Sequence, residues 1–261
     1  MERSNRIEYV LFIIFISVLV FPIFYILRFL DDNTLVSWKW VFHNAGLSGI
    51  YTAIFCVVIA AFLISRVSLH KPLFFPLLLS LPFFIVLPLW SVPEVILDSS
   101  RYFVQAKYLK INGIAYFLRE WGNDIHAWTD LPLVPFLYGL IFKIIGEYRV
   151  FIQIFNSALF SLTVLATYLL GKELWDDETG FYSGLFLAGI PYLIIQVPLM
   201  MVDISTMFLL TLSILLFTKA IKHGGYKNIL LSAIVIFFTM LTKYSVWLML
   251  FVLPLISVVF A

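Results

Sequence analysis

Residues 150–171, VFIQIFNSALFSLTVLATYLLG, decide the fold class: they hold no Asp, Glu, Lys or Arg and match the roughly 20 residues needed to cross about 30 Å of hydrocarbon. Similar runs recur on both sides, separated by short polar punctuation, near 9–29, 47–65, 72–97, 181–201, 204–216, 228–241 and from 244 onward. The whole chain is 62% hydrophobic and 12% charged over 261 residues. Soluble domains hold about 45–50% apolar and about 25% charged residues, so this excess cannot be hidden in one soluble core. The expected fold is an all-α polytopic membrane protein of about eight transmembrane helices.

The run at 9–29 is too long for a signal-peptide core and has no small-residue cleavage site before Asp31, so it is expected to be retained. Arg3 and Arg6 beside it place the N-terminus in the cytoplasm. A net charge of +2 offers no basic patch for nucleic acid, and the single cysteine, Cys56, lies within a run and can form no internal disulfide. The chain stops inside an apolar segment, which leads to the expectation that the natural protein continues past Ala261.

Outward from 150–171, the upstream neighbour is the one long polar stretch, 98–149, where function is expected to concentrate. Within it, 131–146 is apolar but spans only about 24 Å as a helix and contains Lys143. It is expected to lie on or dip into the interface, with Pro132 and Pro135 in its first turn. Residues 99–112 form a second interfacial helix. With the N-terminus inside, 98–149 faces outward, 172–180 inward, Asp203 outward and 219–227 inward. Asp98, Asp130 and Asp203 then share one face.

Asp98 follows Glu94 by four residues, which on a continuous helix puts both carboxylates on one side. Such a pair can hold a metal or share a proton, or the acids can simply mark the end of a span. Asp203 interrupts an apolar stretch, 185–216; a carboxylate near membrane depth is a functional candidate, or it marks a turn between spans. Asp130 is placed to cap the helix that follows it. His126 has no ligand-spaced partner for a metal. Lys243 can meet a lipid phosphate or snorkel to the interface. Asp176, Asp177 and Glu178 read as a solvated turn. No phosphate-binding glycine loop, nucleophile elbow or HExxH is present.

The order LDSSRY (97–102), WTDLPL (128–133), GEYR (146–149), LLGKELW (169–175) and PLMMVD (198–203) resembles the C-type glycosyltransferases. The nearest branch is the dolichyl-phosphate-mannose protein mannosyltransferase-like group, which includes the lipid A aminoarabinose transferases. The resemblance covers about 72–261 and leaves 1–71, with two extra helices, as an addition. It implies a multi-pass cell-membrane enzyme that moves a sugar from a polyprenyl phosphate donor to a protein, lipid or glycan acceptor on the non-cytoplasmic face, using 98–149 as its catalytic outer loop. The family's acidic motif followed by Arg-Tyr falls on Asp98, Arg101 and Tyr102, with Ser99 where a second acid often stands. Its acid ahead of a proline-rich helix falls on Asp130, and its acid opening a later span on Asp203.

Displacing a carrier phosphate from an anomeric carbon needs a base for the acceptor and positive charge at the leaving phosphate. Asp98 is the expected base. Arg101 and Lys243 are expected at the phosphate, together with a divalent metal ion held by Asp130 and Asp203. Tyr102, Asp130 and Asp203 are expected to position the substrates. A transporter using intramembrane carboxylates is the main alternative, distinguished by inverted repeats and broken helices at mid-depth. An inactive membrane scaffold fragment is the third reading.

Overall fold

The computed structural model describes residues 70–260 except 92, 95 and 129, together with residues 26, 48, 51, 52, 55, 56 and 59. The spans expected at 9–29 and 47–65, but for those scattered positions, lie outside the described residues. The chain divides into two units, 1–69 and 70–261, and every element below belongs to the second.

All the named elements are helical. α1 (Phe74–Val86) continues into 3-10 turns at both ends, Lys71–Leu73 and Leu87–Ser91. Then come α2 (Leu97–Asn112), α3 (Ile114–Glu120), α4 (Leu133–Ile144), α5 (Arg149–Leu174), α6 (Asp177–Ala188), α7 (Pro191–Gln196), α8 (Asp203–His223), α9 (Tyr226–Met240), α10 (Ser245–Met249) and α11 (Val252–Phe260). Among the described residues, Lys71–Ser91, Arg149–Leu174 and Asp203–His223 are long and apolar enough to cross a membrane. The helix at 133–144 is 12 residues, about 18 Å long, short of a crossing.

Four expected runs differ from the helices observed. The run at 72–97 stops being helical at Ser91, because Pro93 cannot donate the next helical hydrogen bond, and α2 starts afresh at Leu97 after an extended Ile96. Glu94 and Asp98 therefore do not share a helix face. The run at 181–201 breaks at Ile190, which is extended as residues before proline tend to be, and restarts with Pro191 in the first turn of α7. The run at 204–216 continues instead to His223, because its polar tail keeps helical geometry until Gly224, whose φ of 63° ends it. The segment from 244 onward forms two short helices, α10 and α11, with a turn between them.

Between helices the packing depends on small and polar residues, as expected where lipid provides no hydrophobic drive for helices to associate. A Cβ on Gly171 would stand 2.7 Å from the Gly180 Cα, and a Cβ on Gly180 would run into the Tyr168 carbonyl. α5 and α6 thus meet backbone to backbone. Beside Ile152, Phe160 and Val164, α5 buries Gln153, Asn156, Ser157, Ser161 and Thr163, while Val150, Ile154 and Leu162 are exposed. The buried hydroxyls of Ser213 and Thr239, 2.7 Å apart, link α8 to α9. α4 seats on α2 at Gly139, where a Cβ would stand 2.7 Å from the Leu109 Cβ.

Candidate functional site

Three irregular segments meet at the end of the bundle where α2, α5 and α8 begin. The first is the start of α2. Asp98 lies in its opening turn, where the helix dipole favours a carboxylate, and Arg101 and Tyr102 follow one turn later. Tyr102 is buried with Ala106, Val134, Tyr138, Phe142, Ile152, Met200 and Val202 in one apolar cluster. That cluster fixes the polar edge of α2 relative to α4 and α5.

The second segment, 121–132, carries Asp130. Its turn is held by Gly122 N–H to Ile125 O (2.9 Å) and Asp130 N–H to Ala127 O (2.8 Å), and by the Gln105 Nε2 donating to His126 O (2.9 Å). Asp130 does not cap α4, whose first turn has no side-chain cap. Instead its carboxylate turns inward, 2% exposed. Oδ1 accepts from the Tyr102 hydroxyl at 3.2 Å, and Arg101 Nη2 stands 3.0 Å from Oδ2. The same Nη2 donates to the Tyr102 oxygen at 3.0 Å and lies 3.4 Å from Asp98 Oδ1. One guanidinium therefore bridges a buried carboxylate and an Asp98 whose side chain is 49% exposed.

The third segment is the turn 197–202 ahead of Asp203. Three side chains satisfy its backbone groups. Asn156 Nδ2 donates to Leu199 O at 2.7 Å. The buried Tyr138 hydroxyl lies 2.6 Å from Met201 O and 3.0 Å from Asn156 Oδ1, donating its proton to one of them. Glu94 Oε1 accepts from the Met200 N–H at 2.5 Å, and its Oε2 faces Arg149 Nε at 3.4 Å. Glu94, Tyr138 and Asn156 therefore place Asp203. Sequence reasoning missed the last two, although an Asn inside a charge-free run was a visible signal.

Asp203 opens α8 with its side chain 48% exposed and pairs with Lys243 Nζ at 3.0 Å. The backbones of Asp130 and Lys243 form an isolated antiparallel bridge, and Leu133 N–H bonds Leu241 O at 3.2 Å. All six expected site residues thus come to one place: Asp98, Arg101, Tyr102, Asp130, Asp203 and Lys243. His126 lines the cleft that Asp98 and Arg101 also line.

Electrostatically the site is incompletely satisfied. Arg101 Nη2 meets Asp130 Oδ2 as an ion pair, while Asp130 Oδ2 and Arg101 Nε make no hydrogen bond inside the protein. Burial pushes the Asp130 carboxyl above the ordinary carboxylate range, against the opposing pull of Arg101, Tyr102 and Lys243. Burial also pushes the Tyr102 hydroxyl up to about 12, so it remains a proton donor to Asp130. Asp130 and Asp203 do not fit a divalent ion, because each carboxylate already faces an internal cation. Among the described residues no group of three His, Cys, Asp or Glu side chains converges.

Two clefts flank the start of α2. One, of about 460 Å³, is lined by Asp98, Arg101, Gln105, Asp124, His126 and Trp128 among others. The second, of about 360 Å³, lies against Glu94, Ser99, Phe103, Glu147, Arg149 and Met200.

The family model described as dolichyl-phosphate-mannose-protein mannosyltransferase matches residues 126–260, just over half of the chain. The matched stretch holds Asp130, Asp203 and Lys243, while Asp98, Arg101 and Tyr102 precede it. Comparison with curated proteins and with solved structures gives no match.

Proposed function

This chain belongs to the dolichyl-phosphate-mannose-protein mannosyltransferase family, and from that premise we propose that it transfers a sugar from a polyprenyl phosphate to an acceptor hydroxyl at the non-cytoplasmic face of the membrane. The coarser reading, a membrane glycosyltransferase, follows from the family and from three helices able to cross a bilayer. The observation that carries the finer one is the Arg101 guanidinium held between buried Asp130 and half-exposed Asp98 at the wall of a cleft.

In this reading Asp98 takes the proton of the acceptor hydroxyl as its oxygen bonds to the anomeric carbon. The bond from that carbon to the carrier phosphate oxygen breaks, and the phosphate leaves with its electron pair. Arg101 and Lys243 meet the charge that develops there, an electrostatic role that preorganised cations fill well. Asp130 and Tyr102 keep Arg101 aimed, and Asp203 does the same for Lys243. The polyprenyl tail stays in hydrocarbon, which accounts for a site at the ends of apolar helices. Acceptors of this chemistry include protein, lipid and glycan hydroxyls.

The test is transfer of labelled sugar from a panel of polyprenyl phosphate sugars in membranes carrying the full chain. Protein-dependent transfer that persists in excess chelator is expected, since the charge at the phosphate comes from side chains. No transfer across the panel, with ion- or substrate-dependent flux in its place, would overturn the reading in favour of a transporter.

A further inference from the structure

Trp128 is the one non-glycine among the described residues with a left-handed backbone, φ 52°. A bulky side chain rarely accepts that conformation, and such strain persists only where the surroundings enforce it. Here they do. Ile125, fully buried with Phe117 and Leu109, anchors the turn from below. Tyr116 holds Asp124 at 2.9 Å, Gln105 holds His126, and Asp130 N–H closes the turn onto Ala127. The result of this rigidity is an indole 71% exposed, in the wall of the cleft that also holds Asp98 and Arg101. The His126 ring meets it edge-on, with centroids 6.3 Å apart.

We infer that the Trp128 indole is the platform on which the ring of the donor sugar lies, so that this residue helps set sugar recognition. The inference rests on the proposed transfer reaction. A pyranose or furanose presents C–H groups on its faces and hydroxyls around its edge. It therefore suits a cleft with one rigid aromatic surface and separate polar groups, the usual division of labour in small-ligand sites. Arg101 lines the same cleft, so a sugar joined to a phosphate at that guanidinium falls within reach of Trp128. Gln105 lines it too, and its Oε1, with no hydrogen-bond partner, is an acceptor for a sugar hydroxyl admitted by a small side-chain rotation. A merely lipid-anchoring tryptophan, common at membrane interfaces, would need neither the strained backbone nor a place beside two charged groups.

The test measures equilibrium binding to the full chain in lipid nanodiscs, using mannosyl, glucosyl and pentosyl polyprenyl phosphates alongside bare polyprenyl phosphate, which has the same tail and phosphate without the sugar. Trp128→Ala is expected to weaken the sugar-bearing carrier that wild type prefers by about ten-fold, the equivalent of about 1.4 kcal/mol. Its affinity for bare carrier should stay within about two-fold, and Trp128→Phe should recover most of the loss. Equal weakening of both ligands, or no change in either, overturns the inference while leaving the transfer reading intact. Failure of wild type to bind any of the carriers sinks the transfer reading and this inference with it.

Discussion

The two ends of α5 and α8 carry charge in opposite ways. Where these helices begin, Arg101, Asp130, Asp203 and Lys243 crowd together, Arg101 Nε, Asp130 Oδ2 and Gln105 Oε1 are buried without a hydrogen bond inside the protein, and a cleft opens beside them. Where they end, Lys172 pairs with Asp177 at 2.7 Å, and Glu173 takes both Lys222 and His223, the latter at 2.7 Å. Asp176 caps α6 by accepting from Thr179 N–H at 2.8 Å. At that end each of these charges has an opposite partner, and the Lys172–Asp177 pair, half-exposed at its lysine, contributes little. The comparison shows that in a chain this apolar, a charge alone marks only the end of a helix. The charges gathered beside the cleft, with buried Asp130 among them, mark the candidate site.

Substitutions at the two ends should therefore separate sharply. Arg101→Ala is expected to give the largest loss, about 10²–10³-fold in kcat/KM for transfer, as for removal of a preorganised charge at a developing anion. Arg101→Lys should recover only part of it, because an ammonium cannot bridge Asp98, Asp130 and a phosphate as a guanidinium does. Steady-state kinetics on both variants would check this, and a loss below ten-fold in Arg101→Ala would blur the contrast. Next in size is Gly180→Ala, which has no room for its Cβ. It should destabilise the α5–α6 contact by about 1–3 kcal/mol, lowering the folded yield while leaving the rate per folded molecule unchanged.

A subtler effect concerns pH. Because burial raises Asp130, it takes up a proton at a higher pH than an exposed aspartate, whose ordinary value is about 3.9. Acidification then removes the charge that holds Arg101, so transfer should begin to fall at a higher pH in wild type than in Asp130→Asn. The sign for stability is the reverse. A raised folded pKa favours the fold most at low pH, and that contribution is lost as pH rises through the folded value. Rate and denaturation profiles of wild type and Asp130→Asn would show the opposed trends. Smallest of all, Lys172→Met should change transfer by less than about two-fold and leave the denaturation midpoint close to that of wild type.

Much of this was legible in the residues, and the exceptions have physical causes. Asp98, Arg101, Tyr102, Asp130, Asp203 and Lys243 are all visible as charges or polar groups at run ends, and the structure gathers them. Hydropathy alone did not locate the breaks at Pro93 and Pro191, because the flanking residues stay apolar while the helix stops. The loss of helix at Pro93 separated Glu94 from Asp98 and turned it to the Met200 amide. Asp130 looked like a cap, but the acceptor role went inward to Tyr102 and Arg101, a tertiary preference that local spacing does not encode. Tyr138 and Asn156 matter through the carbonyls of the 197–202 turn, and only the folded chain shows that this turn is irregular and in need of donors.

The most direct measurement is single-turnover transfer from donor already bound to the full chain, comparing Asp98→Asn at the cleft with Glu173→Gln at the opposite helix ends. Loss of a general base lowers rates by about 10²–10⁴-fold. Asp98→Asn should fall by at least about 10² with donor affinity within about three-fold of wild type, while Glu173→Gln keeps the wild-type rate. Wild-type transfer by Asp98→Asn, or an equal loss in both variants, would contradict the assignment of the chemistry to this end of the bundle.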